Sequence, residues 1–480
     1  MSATADTTVY TELGLYIDGA WTESAEHIDV HNPATEEVIG RVPHATVDDL
    51  ERAVSAAVRG FAIWRDLPVD ERTGILLRAA ELIRSRAARI GEVMTLEQGK
   101  PLPEARGEAV RVAKALQWEA EEGRRAYGRV IPIDNDTLLT VHREPVGPVA
   151  AFTPWNFPAG SPMRKISAAL SAGCSLVIKA SEETPGTACE LVRCFEEAGV
   201  PAGVLNLVFG DPPAISEYLI AHPSIRFIAF TGSVPVGKHL AGLAAQVMKP
   251  SIMELGGHAP VIVCDDSDAS YAARMCVTAK FINAGQVCTS PSRFYVHESL
   301  YDAFVDAFSE ATKAIKVGNG LEEGVKMGPL ANPRRLAAIE KFVEQANANI
   351  VTGGKRIDGP GWFYEPTVLT DVPTTAELLS VEPFGPVAPI MPFTDLDEAI
   401  ERANALPYGL AAYGFTKSSA RAAELSRRLE AGILSINHAS GSVPEAPSGG
   451  VKESGYGREG GHEGLEGYLI TKRVHHKLIS

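Results

Sequence analysis

A chain of 480 residues with 45% hydrophobic and 22% charged residues carries enough apolar material for two or three globular domains with ample core. Its formal net charge of −15, with the basic residues scattered instead of gathered in a run, excludes nucleic acid and acidic membrane surfaces as expected partners. No stretch approaches the roughly 18 apolar residues that a bilayer-spanning helix needs, and "MSATADTTVY" has neither a basic n-region nor an apolar h-region, so a cytoplasmic protein is expected.

In chain order, "LGLYIDGAWT" alternates like a hairpin, and "NPATEEVIGRVP" is a short extended segment with turn residues at both ends. Three segments then place apolar residues at three- and four-residue spacing and read as helices: 46–64, 68–99 and 102–126. Thr46 followed by Asp49 is a capping signal for the first. "NDTLLTVHREP" (135–145) is an isolated alternating strand. From residue 146 short continuous apolar runs alternate with helical segments, the pattern of buried parallel strands with crossover helices. The strands are "PVAAFT" (148–153), "CSLVIKA" (174–180), "GVLNLVFG" (203–210) and "IRFIAFTG" (225–232). Such a doubly wound sheet binds ligands at the carboxyl ends of its strands. A second alternating stretch, from about 255 to 450, implies another α/β domain. The tail "GLEGYLITKRVHHKLIS" reads as a lone strand, which must pair with 135–145 or with another subunit.

Six cysteines, at 174, 189, 194, 264, 276 and 288, include no C-x-x-C and have no companion H-x-x-x-H, so neither disulfide nor metal is expected. Cys288, in "FINAGQVCTSPSR", differs from the rest in lying among small and polar neighbours. Glu254, in "IMELGGHAP", stands between apolar residues beside a glycine pair; it is either a solvated strand edge or a carboxylate of raised pKa suited to act as a general base. Asn156 sits in "FTPWNFP", where two prolines stiffen the loop; it makes a turn or aims its amide at a developing oxyanion. Lys179 and Glu182 follow the second buried run and form a candidate ribose clamp. "GSVPVGKH" (232–239) follows a strand and opens a helix, so Ser233 and free backbone N–H groups could meet a pyrophosphate; it matches a P-loop only up to the lysine, leaving an NTPase as an alternative. "GYGREG" (455–460) matches a dinucleotide fingerprint in form, but with no strand leading into it the segment reads as a turn.

Together "PWNFP", "IKASEETP", "FTGSVPVGK", "MELGGHAP", "NAGQVCTS" and "EPFGP", in this order and over nearly the whole chain, closely resemble the NAD(P)-dependent aldehyde dehydrogenase superfamily. The resemblance implies two doubly wound parallel-sheet domains plus a small β oligomerisation element. The cofactor domain would be 1–121 with 146–254, the catalytic domain 255–452, and the oligomerisation element 122–145 with 453–480. A homodimer or homotetramer is implied. By the same resemblance Cys288 is the nucleophile, Glu254 the base and Asn156 the oxyanion donor. Thr153, Pro154, Trp155, Lys179, Glu182, Gly232, Ser233, Leu255, Glu382 and Phe384 hold the dinucleotide, and no metal is involved. NAD is expected over NADP, because Glu182 would stand where a 2′-phosphate must go. The wider sequence is most similar to succinate-semialdehyde and 2-oxoglutarate-semialdehyde dehydrogenases, with Arg164 at a position that grips a remote carboxylate. Ile282 stands where those enzymes commonly carry a second arginine. Phe157, Ile282 and Thr289 complete the expected substrate contacts. The expected substrate is an ω-carboxylated aldehyde, with a broad-specificity aliphatic or aromatic aldehyde dehydrogenase as the alternative and a non-catalytic scaffold as a remote one.

Overall fold

In the computed structural model, which describes residues 10–439 and 443–478, the first hairpin forms as its sequence requires. Asp18 and Gly19, at φ 55° and 78°, turn β1 (Leu15–Ile17) back onto β2 (Ala20–Thr22). A second antiparallel pair follows, β3 (His27–His31) with β4 (Val38–Pro43). Thr46 and Asp49 cap α1 (Val47–Asp66) reciprocally. The long segment predicted as one helix is two, α2 (Val69–Ser85) and α3 (Ala87–Gln98). They break at Arg86, whose φ of −95° and ψ of 8° interrupt the helix without any glycine or proline to announce it. Next come α4 (Leu102–Glu122), then β5 (Arg129–Pro132) and β6 (Thr137–Pro145).

The doubly wound unit runs β7 (Val149–Phe152), α5 (Gly160–Ala172), β8 (Leu176–Lys179), α6 (Pro185–Ala198), β9 (Leu205–Val208), α7 (Pro212–Ala221), β10 (Phe227–Gly232), α8 (Val234–Gln246) and β11 (Ser251–Leu255). Every residue of β7, β8 and β9 is buried, which is why each reads as an unbroken apolar run. In register, Phe152 lies opposite Phe230 on one side and Lys179 on the other. The loops after β7, β8, β10 and β11 therefore share one edge of the sheet. The second unit runs β12 (Ala259–Val263), α9 (Ala269–Phe281), β13 (Pro291–His297), α10 (Tyr301–Lys313), α11 (Pro333–Gln345), β14 (Asn349–Thr352), β15 (Thr367–Thr370), β16 (Val387–Phe393), α12 (Leu396–Asn404), β17 (Ala411–Phe415), α13 (Ser419–Arg428) and β18 (Ile433–Ile436). Its sheet is parallel except for β14.

Two findings concern the last segment, β19 (Gly455–Tyr456), α14 (Gly461–Glu466) and β20 (Leu469–Lys477). The two isolated strands of the sequence do pair with each other, β20 antiparallel to β6 from Leu469↔Pro145 to Lys477↔Thr137. "GYGREG" is more than a turn: β19 joins the first sheet antiparallel to β11, placing Gly455 opposite Glu254. A Cβ on Gly455 would lie 1.8 Å from the carbonyl oxygen of Met253, and its φ is 116°, so only glycine fits this approach. The segment 455–477 thus serves both the first sheet and the small three-stranded one.

Candidate active site

Between the two α/β units lies a cavity of about 890 Å³ whose wall includes Cys288, Glu254, Asn156, Trp155, Phe157, Arg164, Gly232, Ser233, Glu382 and Phe384. Among the described residues Cys288 is the one cysteine that is not buried. Its loop begins with Asn283, Ala284 and Gly285 in succession at φ 50°, 54° and 73°. A Cβ on Gly285 would stand 2.2 Å from the carbonyl oxygen of Gly385, so this turn presses against the Gly385–Pro386 backbone and needs glycine there.

Cys288 Sγ donates to Glu254 Oε1 at 3.8 Å. Burial, then the charges of Glu254 and Glu382, push the thiol well above its usual value. Burial and Glu459 raise Glu254 to about 7, against the opposing pull of Lys165 and Arg164. Lys165 and Glu459 form a buried ion pair beneath this carboxylate, and Lys165 also donates to Thr231. Glu382 is raised to about 8 by burial, although its Oε1 accepts the Gly257 N–H at 3.4 Å.

Asn156 is held from its backbone. Its carbonyl accepts from Lys100 Nζ at 2.9 Å and from Asn283 Nδ2 at 2.9 Å. Lys100 in turn donates to Glu108 Oε2 at 2.5 Å, and Glu108 Oε1 accepts the N–H groups of Ala159 and Gly160 at 3.0 and 2.9 Å. The Lys100 ammonium also stands 4.4 Å from the centre of the Phe157 ring. The Asn156 side chain donates one N–H to the carbonyl of Gln286 at 3.1 Å, which leaves a second N–H for a ligand. Thr289 lies on the wall, its carbonyl receiving Tyr413 Oη at 2.6 Å. Also on the wall, Trp155 meets Phe384 edge-on at 5.6 Å, with the Arg335 guanidinium 5.7 Å from the Phe384 ring. Ser233 caps α8 in position only, without a side-chain bond, so the first N–H groups of that helix keep their capacity for an anion.

Not every expected residue reaches the wall. Ile282 does not: α9 ends there in extended geometry (φ −55°, ψ 137°), and the side chain is 37% exposed outside the cavity. Leu255 packs against α8, its Cδ2 2.3 Å from where a Cβ on Gly237 would stand. Lys179 and Glu182 form an ion pair with each other beyond the wall, and Thr153 is buried with its Oγ1 unpartnered. Lys100, Glu108, Lys165, Glu459, Arg111 and Glu119 were not visible as site residues in sequence, because each is an isolated charge inside or beside a helical pattern.

The carboxyl edge of a doubly wound sheet faces a thiol held against a carboxylate, the parts of an α/β enzyme with a cysteine nucleophile. The chain belongs to the aldehyde dehydrogenase family, whose model matches residues 21–474. It is 46% identical over 98% of its length to 4-(hydroxymethyl)benzenesulfonate dehydrogenase TsaD1 of Comamonas testosteroni, covering 99% of that protein. It is 41% identical to the NADP(+) succinate-semialdehyde dehydrogenase GabD of Escherichia coli (strain K12), over 95% of this chain and 96% of that one. The structure of succinate-semialdehyde dehydrogenase from Burkholderia pseudomallei superposes with a TM-score of 0.95 at 39% identity, over 99% and 100% of the two chains. Membership sets aside the NTPase reading of residues 232–239.

Proposed function

We propose that this enzyme oxidises an aldehyde with an anionic far end, an ω-carboxylated semialdehyde first of all, through a Cys288 thiohemiacetal and thioester. The observation that carries the reading is Arg164 on the same cavity wall as Cys288, Glu254 and Asn156. A relative named for a sulfonate and two named for a semialdehyde support it.

The chain's own groups account for the steps. Burial and the nearby carboxylates favour the protonated thiol, so attack on the aldehyde carbon needs a base, and Glu254 at 3.8 Å accepts that proton. The second Asn156 N–H and the Cys288 backbone N–H hold the oxyanion. A bound nicotinamide supplies the hydride acceptor. Once it has released the thiol proton to solvent, the ionised Glu254 takes a proton from the water that hydrolyses the thioester. The residues present fit an NAD(P) group: Thr153 Oγ1 is a buried, unpartnered polar atom at the end of β7, and α8 offers its uncapped N-terminus to a pyrophosphate. Lys179 and Glu182 would take the adenosine ribose, with NAD preferred over NADP, and Glu382 the nicotinamide ribose. The exposed apolar residues Val130, Ile470 and Val474 on the small sheet support a homo-oligomer assembled through it.

The test compares kcat/KM for succinate semialdehyde and for butanal, in the wild type and in Arg164→Ala. The ratio is expected to fall about 10- to 100-fold in the variant, the size of one charge-assisted hydrogen bond. An unchanged ratio refutes the carboxylate reading and leaves a broad-specificity enzyme.

A further inference from the structure

One face of α4 lines the cavity through Glu108, Arg111, Val112, Ala115 and Glu119, the three- and four-residue spacing of a helix stripe. From Glu108, which accepts from Ala159 and Gly160 next to the Asn156 loop, the stripe runs about 16 Å along the helix to Glu119. Met163, Arg164 and Ser167 of the neighbouring α5 line the same cavity. Glu119 is unusual among these. It is 3% exposed, and its Oε2 is buried with no hydrogen-bond partner. A carboxyl group buried with an unsatisfied oxygen is costly, and Glu119 carries this cost on the wall of a cavity that a ligand enters. The groups that face it are Arg164 from α5, Glu459 and Tyr468 from the C-terminal segment, and Glu122 on its own helix.

We propose that Glu119 is a specificity-determining residue: its carboxyl and the Arg164 guanidinium together form the distal subsite, taking the carboxylate or sulfonate oxygens at the far end of an anionic aldehyde, with Glu119 as hydrogen-bond donor. This rests on the reading of Arg164 given above. Burial, reinforced by Glu459 and Glu122, raises Glu119 to about 8 against the pull of Arg164. At neutral pH the group therefore carries its proton and presents an O–H. An O–H to carboxylate bond is short and charge-assisted, while Arg164 supplies the compensating charge. Above pH 8 the same group ionises, repels the incoming anion and competes with it for Arg164. Anion recognition is thus strongest below about pH 8 and lost above it.

The experiment measures the ratio of kcat/KM for an anionic aldehyde to that for its neutral analogue, succinate semialdehyde against butanal and 4-formylbenzenesulfonate against benzaldehyde, at pH 7 and pH 9. Taking the ratio within each protein cancels any general loss of folding or chemistry. In the wild type the ratio is expected to fall about tenfold from pH 7 to pH 9. Glu119→Gln, which keeps an N–H donor and cannot ionise, holds its pH 7 ratio at pH 9. Glu119→Leu lowers the pH 7 ratio about 10- to 100-fold. The substrate pair with the larger ratio identifies carboxylate or sulfonate as the group received. If Arg164→Ala lowers the ratio but Glu119→Leu leaves it unchanged or raises it, Glu119 is no donor, and the inference is overturned while the reading of Arg164 stands. If Arg164→Ala leaves the ratio unchanged, both are overturned.

Discussion

Replacing Lys100 by Met tests whether the Asn156 loop is held by a buried charge. The Lys100 and Glu108 side chains are 1% and 3% exposed, so removing the ammonium leaves a carboxylate desolvated without its partner. Breaking such a pair from one side costs about 3–5 kcal/mol. The lower end applies here, about 3 kcal/mol, because Glu108 Oε1 still accepts from Ala159 and Gly160. The Asn156 carbonyl also loses one of its two donors, keeping only Asn283. An oxyanion donor that shifts by even an ångström costs catalysis on the order of 100-fold, so kcat should fall about 10- to 100-fold with a smaller change in KM. Denaturant unfolding gives the first quantity and single-turnover kinetics the second. The double variant Lys100→Met/Glu108→Gln should recover at least about 1 kcal/mol of stability relative to the sum of the single variants. A loss below about 1 kcal/mol in Lys100→Met refutes the buried-pair argument. A full stability loss with unchanged kcat refutes the positioning of Asn156.

Other outcomes follow from the same geometry. Cys288→Ala should abolish NADH production. Glu254→Gln should slow both the burst and steady turnover at pH 7 by about 100-fold or more, the range of a general base, and a wild-type burst would exclude Glu254 from the first proton transfer. Because Glu254 is raised to about 7 and works as the ionised base, wild-type kcat should climb as pH rises through about 7 and then level off; a flat profile from pH 6 to 8 contradicts the assignment. Glu182→Ser should narrow the preference for NAD, measured as the ratio of kcat/KM with NAD to that with NADP, and a wild type that favours NADP refutes the placement of Glu182. Gly285→Ala, facing a backbone contact of 2.2 Å at φ 73°, should lower the melting temperature and cost at least about 1 kcal/mol, as strain at a special backbone position does.

What the sequence determined by itself was whatever local chemistry writes locally. β7, β8 and β9 were legible because strands buried on both faces must be apolar at every position, and α1 because a Thr–Asp box caps a helix wherever it occurs. The Cys288 loop was legible because small residues must surround a thiol that ligands approach. The family resemblance supplied the roles expected of Cys288, Glu254 and Asn156, and the structure brings all three to one cavity. The break at Arg86 left no trace, since no residue there forbids a helix and only packing decides it. Ile282 was placed by counting back from the cysteine, but three successive left-handed residues intervene and the direction of its side chain is set by that turn. "GYGREG" looked like a turn because a two-residue strand has no periodicity, and its value lies in meeting Glu254, some two hundred residues earlier in the chain. Lys165 with Glu459, 294 residues apart, and Glu119 beside Arg164 are isolated charges in sequence. Only the tertiary fold brings them together and strips them of water, and desolvation is what turns an ordinary lysine or glutamate into part of a site.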